Sequence, residues 1–70
     1  MSVDEKQIND VVFNINMHLS LALNARDDLG ALLRIKESIN DQSVEQKIFD
    51  DAKIKIKTAA QGLIDIINTF

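Results

Sequence analysis

The chain has no cysteine, no proline, no tryptophan and no tyrosine, and only two glycines and three phenylalanines among its 70 residues. Each shortage excludes something. Without thiols there is neither a disulfide framework nor a thiolate metal site of the zinc-finger kind, so the usual staples of a very small domain are missing. Without proline, and with so little glycine, few positions must end a helix. No run of about 18 apolar residues is present, and no basic-then-apolar leader, so the expected compartment is cytoplasmic, without a membrane partner. Basic charge is also short: the net charge of −3 opposes the counterion release that drives binding to phosphate, so nucleic acid is not an expected partner.

What is present is apolar content, 46% of the residues, far above that of a disordered acidic tail. It is arranged with helical period. From Ile8 the steps of four and three run through Val12, Ile15, Leu19, Ala22, Arg26, Leu29 and Leu33, a continuous heptad seam with one charged member. A second seam runs through Phe49, Ala52, Ile56, Ala59, Leu63, Ile66 and Phe70, widened by Ala60 and Ile67. Lys53-Ile54-Lys55-Ile56-Lys57 alternates like a strand, but inside an unbroken heptad it reads as helix.

Boundaries come from capping patterns. Ser2-Val3-Asp4-Glu5 and Ser43-Val44-Glu45-Gln46 both have the form of a capping box, and Asn40-Asp41-Gln42 favours a turn. The expectation is one all-α domain over residues 1–70, an antiparallel hairpin with helices over 3–39 and 44–69 and a loop at 40–43. The first helix is either continuous or broken near Gly30 with Asp27 or Asp28 as the new N-cap, which would make three helices. Antiparallel pairing about the loop sets Arg26 beside Ile56, Ala59 and Ala60, its stem lying on small side chains. It also leaves roughly the first dozen residues without an opposite number.

The first helix carries a second apolar stripe nearly opposite the first: Phe13, Met17 and Leu21, then Ala31, Leu32, Ile35 and Ile39. One hairpin cannot cover both stripes. Seventy residues bury only about 60% of their unfolded surface in any case. Hence Phe13, Met17, Leu21, Leu32, Ile35 and Ile39 are the candidate partner-binding residues, and the hairpin is expected to complete a bundle with another protein chain, a second copy or a different protein.

Catalytic constellations are not legible. His18 stands alone among potential metal ligands of its class, the neighbouring carboxylates Asp27-Asp28 and Asp50-Asp51 diverge by about 100° on a helix, and neither glycine lies in a phosphate-binding motif. The reading is therefore a binding module and not an enzyme, with no cofactor, no metal and no small-molecule substrate. The roles weighed are an adaptor or co-chaperone, a homodimeric four-helix-bundle regulator, and a phage- or plasmid-type inhibitor of a host protein.

The acidic hairpin pattern, the turn before Ser43 and the closing Ala59-Ala60-Gln61-Gly62-Leu63-Ile64-Asp65-Ile66-Ile67 together resemble the small E-type co-chaperones of bacterial type III secretion, the YscE/EscE/SsaE group. The likeness covers mainly residues 41–69 and carries no diagnostic motif, so no site residue is transferred. It implies a helical hairpin that binds a tetratricopeptide-type chaperone and helps keep a needle subunit from polymerising.

Overall fold

The computed structural model describes residues 3–38 and 40–69. It is a helical hairpin: α1 spans Glu5–Ile35 and α2 spans Gln42–Thr69. The two helices lie side by side in a single layer, with principal extents of 59 × 17 × 9 Å. The radius of gyration is 16.6 Å, against about 11 Å for a compact domain of this length.

α1 is continuous through Gly30, so the three-helix alternative does not occur. Neither acidic residue is released to cap a new helix. Asp27 accepts from Arg26 and Asp28 from Lys55, while a side chain at Gly30 would meet only the tip of Arg34. Local helix support comes from i,i+4 ion pairs such as Lys6–Asp10 (3.3 Å) and Lys47–Asp51 (2.9 Å), the latter holding the Lys47 ammonium above its ordinary pKa through its hydrogen bond to Asp51.

Both N-termini differ from the serine-capped expectation, for one reason. A carboxylate is available near each start, and it outperforms a hydroxyl at the positive end of the helix dipole. At α1 the cap is Asp4: its carboxylate accepts from the Gln7 amide at 2.8 Å, and the Gln7 side chain accepts from the Asp4 amide at 3.1 Å. Ser2 lies outside the described residues. At α2, Asp41 accepts from both the amide and the hydroxyl of Ser43, at 2.9 and 2.6 Å, so the helix begins at Gln42. Those bonds, the hydroxyl's first, hold the Asp41 carboxyl below its ordinary value. Gln46, the expected reciprocal partner of Ser43, instead donates to Asp50. α1 ends earlier than residue 39, in a turn over Lys36–Ser38 closed by the Ser38 amide donating to the Ile35 carbonyl at 2.9 Å.

The seam between the helices is made of small residues. Ala25, Ala52 and Ala59 are the buried residues among those described, and no large side chain is fully buried. Gly62 belongs to the same row: a Cβ there would overlap the ring of His18, which lies across it. Polar order is supplied by Lys55, whose ammonium donates to Asp28 at 2.6 Å across the interface, and by Lys36 with Glu45 at 3.6 Å nearer the turn. His18 with Gly62, Asp28 with Lys55 and Lys36 with Glu45 fix an antiparallel register close to the expected one. The first turns of α1, from Glu5 to Asp10, extend past the last described turn of α2 and are exposed.

The rotation of the helices is a correction. Both expected seams are half right: Ile15, Ala22 and Leu29 in α1, and Ala52, Ala59 and Ile66 in α2, do turn inward. Most of the alternate members do not, Leu63 being half-buried. Val12, Leu19, Leu33, Phe49 and Ile56 are exposed, and the inward places between are taken by His18, Ala25 and Leu32 in α1 and by Ile48, Lys55 and Gly62 in α2. Arg26 is accordingly outside, its side chain 73% exposed and paired with Asp27, and not lying on Ala59 and Ala60. The physical cause is closeness. Helices that meet through alanine and glycine approach nearer than helices that meet through leucine and isoleucine, and the larger residues are displaced to the flanks.

Candidate functional site: two uncovered apolar flanks

The displaced residues form two flanks, one on each side of the hairpin plane. On the first, a groove near the turn is lined by Leu29, Leu32 and Leu33 of α1 and by Glu45, Gln46 and Phe49 of α2. Heptad spacing continues this side along the rod through Leu19, Val12 and Ile8 of α1 and through Ile56, Leu63 and Ile67 of α2. Exposure reaches 76% at Leu33 and 78% at Ile67, while Leu29, Leu32 and Leu63 are half-buried. Polar residues on this side include Lys36, Gln42, Glu45 and Gln46 around the groove and Arg26 and Lys53 beside it. Lys53 lies 5.1 Å from the centroid of the Phe49 ring, covering part of it.

On the second flank, Ala31, Leu32 and Ile35 meet Ile48, Ile54 and Lys55, with Asp28 and Asp51 at the rim. This side continues through Leu21 and Met17, with Phe13 just outside it, and Met17 and Phe13 are 54% and 64% exposed. It too carries polar residues. Asn24, Asp51, Thr58 and Asp65 share its heptad positions, and the Asp28–Lys55 ion pair opens onto it.

The six candidate partner-binding residues are thus divided. Met17 and Ile35 face outward on the second flank and Phe13 is exposed just beside it. Leu21 is half-buried, and Leu32 sits between the helices where both grooves reach it, so these two serve the hairpin as well. Ile39 lies outside the described residues. The first flank was missed as a surface because its residues were assigned to the internal seam. The available signal was the small-residue row Ala22, Ala25, Ala52, Ala59 and Gly62: alanine at heptad spacing marks close helix approach and moves the bulky row outward.

Among the described residues no group of three His, Cys, Asp or Glu side chains is placed to hold a metal ion, and no helix is long and apolar enough to cross a membrane. The carboxylate pairs diverge: Asp50 meets Gln46 and Lys53, while Asp51 meets Lys47. The lysines of α2 also point apart, Lys47 and Lys53 outward and Lys55 across to α1. Compared with protein families, with curated proteins and with solved structures, the chain matches none.

Proposed function

We propose that this chain is a helical protein-interaction module, an adaptor or co-chaperone whose apolar flanks are covered by another protein chain, and that it carries out no catalysis. One observation carries the reading: the shared core of the hairpin is three alanines, while leucines, isoleucines and phenylalanines of both helices stand in water. A helix or sheet must bury its apolar face against a further layer, and this hairpin is a single layer. The exposed surface measures 5723 Å², about 1,300 Å² more than the ~4,400 Å² typical of a compact monomer of this mass. A surface excess of that size is expected of a single layer that is covered by another chain.

Within this reading the Phe13, Met17 and Leu21 stripe, continued by Ile35, receives a helical partner, and the likeness of residues 41–69 to the E-type secretion co-chaperones makes a cytoplasmic helical-repeat chaperone one candidate. The test is thermal melting followed by far-UV circular dichroism over a wide range of chain concentration. A module of this kind is marginal alone and gains helicity and melting temperature when its flanks are covered, because a partner that binds only the folded state stabilises it by mass action. A dilute monomer that is fully helical, and melts cooperatively at a temperature independent of concentration and of any added partner, would overturn the reading.

A further inference from the structure

The links between the two helices are unevenly spread along the hairpin. Toward the turn lie the buried alanines Ala25, Ala52 and Ala59 and both ion pairs that join α1 to α2, Asp28 with Lys55 and Lys36 with Glu45. Beyond Ala59, toward the chain ends, no side-chain hydrogen bond or ion pair crosses between the helices among the described residues. Ile15, Leu63 and Ile66 are only half-buried there, and a cleft of about 340 Å³ opens between the helices, walled by Asn14, His18, Asp65 and Thr69 with Gly62 and Ile66. We infer that the half of the hairpin farther from the turn opens as a unit of its own while the turn half stays closed, and that His18 seated on Gly62 is the latch that holds it shut. The inference stands apart from the interaction-module reading, because it concerns the motion of the chain alone.

The latch is a matter of fit. The His18 ring occupies the place that a Cβ on Gly62 would take, so that three of its ring atoms would be overlapped. The other glycine is the contrast: a Cβ at Gly30 meets only Arg34 Nη1 at 3.8 Å, an ordinary contact. Both glycines are helical and neither has a positive φ, so alanine is unstrained and helix-favouring at either position. Glycine at 62 is therefore required by the ring and not by the backbone.

Topology decides which half opens. The turn tethers one end of the hairpin, so parting the free ends breaks only the contacts beyond Ala59 and leaves the turn-side pairs in place. Parting the turn half first would leave a much longer loop closed by His18 alone, and the entropy cost of closure grows with loop length. Cooperative local opening below the global stability is a general property of folded chains. It differs from fraying, which loosens the last turn at every helix end, since His18 lies well inside α1.

The test is native-state amide hydrogen exchange, read by mass spectrometry on the full chain at one concentration, with Gly62→Ala, Gly30→Ala, His18→Ala and the His18→Ala/Gly62→Ala double variant. In the unaltered chain the amides of residues 12–20 are expected to exchange at least about tenfold faster than those of residues 24–32 of the same helix. Gly62→Ala, which pushes the ring out, is expected to speed exchange over 12–20 and 62–68 and to leave 24–32 and 45–58 unchanged. In the His18→Ala background the same substitution changes sign. With no ring to displace, the advantage of alanine over glycine in a helix, about fivefold in the opening equilibrium, slows exchange, as Gly30→Ala does in the turn half. Equal exchange in the two halves of α1, or a Gly62→Ala effect spread evenly over both, would mean that the hairpin opens as one body and would overturn the inference. Slower exchange in Gly62→Ala with His18 in place would show that the seated ring holds nothing shut, and would remove the latch.

Discussion

The alanine seam and the Phe49 flank are adjacent strips of the same two helices, and they invert the usual placement of residues. The seam, the best-buried part of the hairpin, is built from Ala25, Ala52, Ala59 and Gly62. The flank, open to water, is built from Leu33, Phe49, Ile56 and Ile67. A fully buried leucine, isoleucine or phenylalanine contributes about 1.5–3 kcal/mol relative to its exposed state, and a methyl group far less. The hairpin alone therefore realises only a small part of the stabilisation its sequence can provide. The seam sets geometry, bringing the backbones close in a fixed register. The flank holds the remaining burial in reserve for another chain.

The strongest way to break this contrast is to put a large residue where the small ones sit. Ala59→Leu forces the helices apart at a fully packed position and is expected to destabilise the chain by about 1–3 kcal/mol, seen as a lower denaturant midpoint. No change on that scale would mean the helices are not in close contact at Ala59.

A smaller effect sharpens the register. Lys55 and Asp28 meet at 2.6 Å with their side chains 34% and 39% exposed, so water still screens them. A double-mutant cycle with Lys55→Met and Asp28→Asn is expected to give a coupling of about 0.5–1 kcal/mol that shrinks in high salt. Zero coupling at low salt would leave the register to the alanines, His18 and the Lys36–Glu45 pair.

The smallest effect concerns the turn, away from both strips. The Asp41 carboxyl is held below its ordinary value by its bonds to Ser43, so its contribution to stability is fully present above the unfolded-state carboxylate pKa and is lost as pH falls through the lowered folded value. Asp41→Asn keeps a capping side chain but removes that titration. The variant should show a shallower loss of melting temperature on acidification, and equal slopes would show that Asp41 does not cap α2 in solution.

These comparisons also show how far the sequence could be read. Helix, hairpin and antiparallel register were legible because heptad spacing and the polar turn at residues 40–42 each have one simple reading. The sequence leaves open whether α1 runs through Gly30, because a heptad stripe continues across a glycine whether or not the helix breaks there. The structure shows one helix over Glu5–Ile35. Rotation about the helix axes was not legible. Ile15, Ala22 and Leu29 lie on the border between two strips, and either neighbouring row, Val12-Leu19-Leu33 or Ala25-Leu32, completes a valid heptad. A hydrophobicity criterion prefers the bulky row. Close packing prefers the small one, and with it the exposed position of Arg26 follows. The caps were misread for a related reason: a serine with the right spacing fits the pattern, but Asp4 and Asp41 offer charged acceptors to the helix dipole.

The most direct test of the claim that the bulky flank is built to be covered is the solution mass of the purified chain across a hundredfold dilution, with helicity recorded at each point. The prediction is a chain that is incompletely helical at the dilute end, because the alanine seam alone holds the hairpin weakly. A monomer that stays fully helical throughout the dilution would contradict it, since the seam would then suffice and the exposed leucines and isoleucines would need no partner.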